Sequence, residues 1–78
     1  MGLAAKHVKK SISDYKNLAI VFEKLVALNP TAIQYHSSLA VVYKNLGEYA
    51  KARQEALKTL ELSPASKQNV DAFLSTLP

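Results

Sequence analysis

The chain contains no cysteine among its 78 residues, and only two glycines and three prolines. Without cysteine it has no disulfide framework, no thiol nucleophile and no cysteine-ligated metal site, and its redox compartment stays open. The two glycines, Gly2 and Gly47, are too far apart to form a glycine-rich phosphate loop. No run approaches the roughly 20 apolar residues that a membrane-spanning helix needs. We therefore expect no transmembrane segment.

Recognisable catalytic patterns are also missing. His7 and His36 fall in different predicted helices, and neither has an acidic residue at a spacing that would form a metal pair. We expect His36 to pack in the core. The pair Ser37-Ser38 has no accompanying base pattern, and the carboxylates are scattered. The sequence therefore predicts no enzyme, no metal, no cofactor and no small-molecule substrate.

Composition favours one small folded domain, since 49% of the residues are hydrophobic. The net charge of +4 comes largely from a basic cluster near the start of the chain. This cluster consists of Lys6, Lys9, Lys10 and Lys16. We interpret it as a solvated face. The alternative, binding to nucleic acid or an anionic surface, would show steep salt dependence, and we do not expect nucleic acid as a partner.

A period of thirty-four residues organises the sequence. Leu28-Asn29-Pro30 recurs as Leu62-Ser63-Pro64, and the same shift aligns many other positions. These include Val8 with Val42, Lys10 with Lys44, Ile12 with Leu46, Asp14 with Glu48, Tyr15 with Tyr49, and Lys24 with Lys58. A period of this size is typical of a solenoid, whose units bury their apolar faces against one another.

Helical periodicity predicts five helices and no sheet. Their approximate ranges are 3–11, 14–28, 30 or 31–46, 48–62 and 66–76. Asn29 before Pro30 and Ser63 before Pro64 are predicted N-terminal caps. Gly47 is predicted to end the third helix in a left-handed conformation. The short connections between segments indicate antiparallel neighbours.

Residues 31–64 carry a recognisable set of positions. They are Leu39-Ala40, Tyr43, Gly47, Tyr49, Ala52, Ala56, Leu60 and Pro64. This pattern resembles the tetratricopeptide repeat, although Ala40 replaces a usual Gly, His36 stands where Trp is common and Thr59 replaces a usual Ala. The resemblance implies an all-α fold, a short right-handed α-solenoid of antiparallel helix hairpins. It divides the single domain into a degenerate first repeat (1–30), a full repeat (31–64) and a C-terminal capping helix (65–78).

The resemblance also implies a non-enzymatic scaffold that binds a protein segment in a concave groove. The groove residues carried over from the family are Gln34, Ser37, Ser38, Val41, Lys44, Asn45, Gln68 and Asp71. The partner would be another protein or further copies of the chain.

An alternative function rests on the predicted helix 14–28, which is apolar nearly all round. Ile20, Val21 and Ala27 align with Gln54, Glu55 and Glu61, positions that are usually polar on the outer surface of such repeats. An exposed apolar patch marks an interface. We therefore also consider a self-assembling structural subunit that stacks through its solenoid ends and the surface of Ile20 and Val21 into oligomers or filaments, as a homo-oligomer or as part of a larger assembly.

Overall fold

A computed structural model describes residues 11–78. It contains four helices: α1 (Ile12–Leu28), α2 (Ile33–Asn45), α3 (Tyr49–Leu62) and α4 (Lys67–Leu74), with a 3₁₀ turn at Pro64–Ser66. Residues 11–78 form no strand, so the all-α prediction is confirmed as a small helical repeat domain. Each of the last four predicted helices has a counterpart within a few residues. The predicted helix 3–11 falls almost wholly outside the described residues.

The start of α1 is fixed by a capping box. Ser11 Oγ accepts a hydrogen bond from the Asp14 backbone N–H at 3.2 Å. The Asp14 carboxylate in turn accepts from the Ser11 backbone N–H at 3.0 Å. These two bonds satisfy donors that the first turn of a helix leaves without partners. With this capping box, α1 begins three residues before Tyr15, the position that the thirty-four-residue shift aligns with Tyr49 at the start of α3.

The prediction that Asn29 caps α2 is wrong. Asn29 instead ends α1, where its backbone N–H and its side-chain Nδ2 both donate to the carbonyl of Leu25, at 2.8 and 3.3 Å. The N-cap of α2 is Ala32, which has no side-chain capping bond. Ser63 does stand at the N-cap of the 3₁₀ turn with Pro64 after it, as predicted, but its hydroxyl accepts from Ser66 Oγ at 3.1 Å and makes no capping bond to a backbone N–H.

The turn between α2 and α3 depends on Gly47, as predicted. Its φ of +77° lies in the left-handed region that side chains with a Cβ disfavour. The Glu48 N–H then donates to the Tyr43 carbonyl at 2.9 Å, which closes the end of α2. Near this turn, Lys51 of α3 lies over the ring of Tyr43 of α2. Farther from the turn on both helices, Glu55 of α3 contacts His36 of α2. The two helices are therefore antiparallel.

The core lies between consecutive helices. One cluster joins Ala19 of α1 to Leu39, Val42 and Tyr43 of α2 and to Ala52 of α3. A second cluster joins Ala40, Ala56 and Val70, and so connects α2, α3 and α4. The alanines allow close helix approach because they add little volume between the backbones. Among the described residues, the α-helices in close backbone contact are those consecutive in the chain.

No helix within residues 11–78 is both long enough and apolar enough to cross a membrane.

Candidate partner-binding groove

The exposed side of α2 carries half of the predicted groove. Gln34, Ser37, Val41 and Asn45 recur at spacings of three and four, so they lie on one face of the helix. All four are exposed, and Val41 leaves 48% of its surface accessible. The opposite side of α2 buries His36, Leu39 and Tyr43 in the core, which fixes the orientation of the exposed face.

An open cavity of about 290 Å³ lies beside this face, between α2, α3 and α4. We call it the groove. Small side chains form its floor, where Ala40 and Ala56 are buried against Val70. Its full lining is Ile33, Ser37, Ala40, Val41, Ala56, Thr59, Ser66, Asn69, Val70 and Phe73. Most of these side chains are apolar, so the groove suits apolar groups of a partner.

The hydroxyl groups along the groove already donate their hydrogens within the protein. Ser37 Oγ donates to the Gln34 carbonyl at 3.2 Å, and Thr59 Oγ1 donates to the Glu55 carbonyl at 2.9 Å. Ser66 Oγ donates to Ser63 Oγ at 3.1 Å. A partner therefore meets few hydroxyl donors here, and apolar contact is the main interaction that the groove offers.

Among the described residues, no charged side chain lines the groove. The Lys44 ammonium lies 5.8 Å from the centre of the Phe73 ring, within cation–π range, and so covers one end of the apolar lining. On α4, Lys67 pairs with Asp71 at 2.6 Å on the exposed outer side. A positive charge beside an apolar cavity favours a partner segment that combines an apolar side chain with a carboxylate.

His36 holds together the elements that carry the groove. It is buried, and its Nε2 donates to the Pro30 carbonyl at 2.7 Å in the α1–α2 connection. Its Nδ1 is hydrogen-bonded to the Glu55 carboxylate of α3, also at 2.7 Å. Both ring nitrogens are therefore engaged within the protein. The sequence predicted a core histidine at this position, but it gave no sign of these two polar partners.

Tyr43 makes a second polar contact between helices, which joins α2 to α1. Its hydroxyl donates to the Glu23 carboxylate. Burial and the Glu23 carboxylate together raise the pKa of Tyr43 well above the ordinary value for tyrosine. The phenol therefore stays protonated at neutral pH and keeps donating. The Lys51 ammonium, 5.5 Å from the ring centre, adds a cation–π contact.

The structure separates the predicted groove residues into three groups. Ser37 and Val41 line the cavity, and Lys44 lies at its end. Gln34 and Asn45 extend the same exposed face, and the Asn45 side chain donates to the Val41 carbonyl at 2.8 Å. Ser38 is half-buried, and Gln68 and Asp71 lie exposed on α4 outside the cavity lining.

Sequence reasoning placed Gln68 and Asp71 of α4 in the groove, but it missed the residues of α4 that line the cavity. Val70 is buried in the second core cluster and Phe73 packs against it, and both also line the cavity. Asn69 and Ser66 join them there. The thirty-four-residue shift aligns Val70 and Phe73 with the buried His36 and Leu39, so the repeat pattern predicts packing at these positions and does not indicate a groove.

The predicted self-association residues do not form one patch. Ile20 and Val21 are adjacent on α1 and so point about 100° apart, while Ala27 lies seven residues from Ile20 on nearly the same side. Ile20 and Val21 are about equally exposed, at 52% and 51%. Of the predicted basic cluster, Lys16 is exposed on α1. Lys6, Lys9 and Lys10 lie outside the described residues.

The part of the chain that the structure describes contains no group of three or more histidine or carboxylate side chains placed to hold a metal ion.

A comparison with known families finds a match. Residues 21–54 match the model of the tetratricopeptide repeat. The matched stretch begins within α1, spans all of α2 and ends within α3, so it includes the Gly47 turn, His36 and the exposed face of α2. No solved structure matches the chain.

Proposed function

Because residues 21–54 match the tetratricopeptide repeat, we propose that the chain is a protein-interaction scaffold whose groove binds a segment of another protein. Members of this family are generally non-enzymatic interaction modules. The observation that carries the proposal is the apolar groove between α2, α3 and α4. Its volume of about 290 Å³ is at the lower end for ligand pockets, which suits one or two inserted side chains better than an enclosed small molecule.

The chemistry of the groove describes the segment that it would take. An apolar anchor would contact Val41 and Phe73 above the alanine floor, and an acidic neighbour would pair with Lys44. Since the groove hydroxyls donate elsewhere, binding would depend mainly on apolar burial, at about 25 cal/mol for each Å² removed from water.

A displayed library of random peptides, selected on the immobilised chain, tests this proposal. We expect the selected peptides to combine an apolar residue with an acidic one. Val41→Glu should weaken their binding at least tenfold, which corresponds to about 1.4 kcal/mol, because it places a charge in the apolar wall and repels the acidic residue. Affinity would be measured by fluorescence polarisation with labelled peptides.

Leu57→Glu is the matched control. Leu57 is exposed to the same 48% as Val41, but it lies on α3 outside the groove lining. This variant should bind the selected peptides as the parent chain does. Equal losses of peptide affinity in the two variants would contradict binding in the groove. Selected peptides that lack an apolar residue would contradict it as well.

Self-association remains a second proposal, and it is supported by the exposure of Ile20. This large apolar side chain is 52% accessible and shares one side of α1 with Ala27. If copies associate through this side, Ile20→Glu should convert oligomers to monomers, because each contact would then bury a carboxylate. Light scattering over a concentration series measures the mass. A parent chain that stays monomeric at every concentration contradicts the proposal.

A further inference from the structure

The ring of His36 has a hydrogen-bond acceptor on each side. Its Nε2 lies 2.7 Å from the carbonyl oxygen of Pro30, and its Nδ1 lies 2.7 Å from a carboxylate oxygen of Glu55. A carbonyl oxygen has no hydrogen to donate, and neither has an ionised carboxylate. Both contacts are therefore hydrogen bonds only if both ring nitrogens carry a hydrogen. An imidazole with two N–H groups is a cation.

The extra hydrogen belongs to the ring of His36 and not to the carboxyl group of Glu55. A Glu55 that kept its hydrogen could donate it to Nδ1 of a neutral ring. Imidazole is, however, the stronger base of the two groups in water. The Glu55 side chain is also 21% exposed, and contact with water favours the ionised form of its carboxylate.

We propose that His36 is an imidazolium in the folded chain, and that its two bonds form a latch that opens as the pH rises. The latch joins the α1–α2 connection, through Pro30, to α2, which carries His36, and to α3, through Glu55. This device goes beyond the proposed function, because it operates without a partner.

Burial decides which side chain moves when the ring loses its extra hydrogen. The His36 side chain is 5% exposed and stays in the core, whereas Glu55 reaches the surface. A neutral ring keeps the Nε2–H on the Pro30 carbonyl and turns the lone pair of Nδ1 towards a carboxylate, which repels it. The Glu55 carboxylate then turns into water and leaves Nδ1 buried without a partner. The latch therefore opens between α2 and α3.

No other charged group replaces either partner in the latch. Among the described residues, Glu55 is the one charged side chain within ion-pair distance of His36. On α1, the Glu23 carboxylate accepts a hydrogen bond from Tyr43, two helical turns farther along α2. The lysines one turn from Glu55 on α3 are held in exposed pairs, Lys51 with Glu48 and Lys58 with Glu61.

The latch lies at the end of the groove where α2 begins. Ile33 lines the groove one helical turn before His36. Thr59 also lines the groove, and it donates to the backbone carbonyl of Glu55. Opening the latch therefore removes a bond between the two helices that carry this end of the groove.

Urea denaturation at about pH 6 and about pH 9 tests the proposal, because this interval spans the ordinary titration of imidazole and lies between those of carboxylates and lysines. The latch needs the extra hydrogen, so its contribution to stability is present at the acid end and is lost as the pH rises. The unfolding equilibrium constant of the parent chain should rise about tenfold over the interval, or about 1.4 kcal/mol. That is the order of one hydrogen bond lost from a buried group.

Glu55→Gln removes the need for the extra hydrogen. Its amide can turn to donate an N–H to Nδ1 of a neutral ring, so both bonds form at either pH. The unfolding constant of this variant should change by no more than about twofold over the same interval. The matched control is His7→Gln, since His7 is the other histidine of the chain. This control should keep the rise of the parent chain.

Nitrogen-15 NMR locates the hydrogens in the folded chain. It uses His7→Gln, in which His36 is the one remaining histidine. At about pH 6 both ring nitrogens should carry a hydrogen, and at about pH 9 only Nε2 should carry one. This measurement decides the protonation of the ring even if Glu55→Gln does not fold.

Three results would overturn the proposal. One is a parent chain whose unfolding constant is the same at the two pH values. Another is a Glu55→Gln chain whose unfolding constant rises as much as that of the parent. The third is an Nδ1 without a hydrogen at the acid end, because His36 would then not be an imidazolium.

Discussion

Leu39→Ala should lower the free energy of unfolding by about 2–5 kcal/mol, the range for removing a large aliphatic side chain from a packed core. Leu39 is 2% exposed and contacts the cluster that joins α1, α2 and α3. A domain of this size is stabilised by only about 3–5 kcal/mol. Much of the variant should therefore be unfolded at 25 °C. Helicity at 222 nm and urea denaturation measure both effects.

Val41→Ala provides the control for this change on the same helix. Val41 leaves nearly half of its surface in water, so its truncation should change the free energy of unfolding by no more than about 0.5 kcal/mol. The contrary result is a Leu39→Ala variant that unfolds cooperatively with a free energy of unfolding within about 1 kcal/mol of the parent value. That result would contradict a central position of Leu39 in the core, because truncation there costs about 2–5 kcal/mol.

His36→Phe should cost about 2–3 kcal/mol of stability. The ring would still fill the space, but the Pro30 carbonyl and the Glu55 carboxylate would each lose a short hydrogen bond. A buried polar group without a partner costs about 1–3 kcal/mol, and the partial exposure of the Glu55 side chain, 21%, moderates its share. Urea denaturation of the variant and the parent measures the difference.

The double variant His36→Phe with Glu55→Leu identifies the cause. If the cost comes from the unpaired carboxylate, removing that carboxylate should recover about 1 kcal/mol or more, as replacing both partners of a buried pair can do. Lys58→Ala serves as a control, because the Lys58–Glu61 pair is exposed and should contribute no more than about 0.5 kcal/mol. A double variant that is less stable than His36→Phe would contradict this account.

The helices and the turns could be predicted from the sequence because their signals are local. Gly47 is the one glycine among the described residues, and it lies where the chain must enter the left-handed region. The predicted side-chain capping bonds failed because Asn29 and Ser63 stand between two elements. A side chain there can serve the end of one helix or the start of the next, and its local sequence does not decide which.

The site was harder to predict because it depends on which helix covers which face. The resemblance to the repeat family placed Ser37 and Val41 in a groove, and they lie on the exposed side of α2. It could not show that Phe73 of α4 would lie under Lys44, since that contact depends on how α4 packs on α3. The partners of His36 were hidden for the same reason, because Pro30 and Glu55 meet it only after three elements have assembled.

The consecutive packing of the helices also bears on how fast the chain folds. Close backbone contacts among α1–α4 join each helix to the next one in the chain, so each contact closes only a short loop. Topologies of this kind fold in microseconds to milliseconds, because little chain entropy is lost before contacts form. Unfolding can then start at α4, whose close backbone contacts are with α3 and the adjoining 3₁₀ turn, and proceed towards α1 one helix at a time.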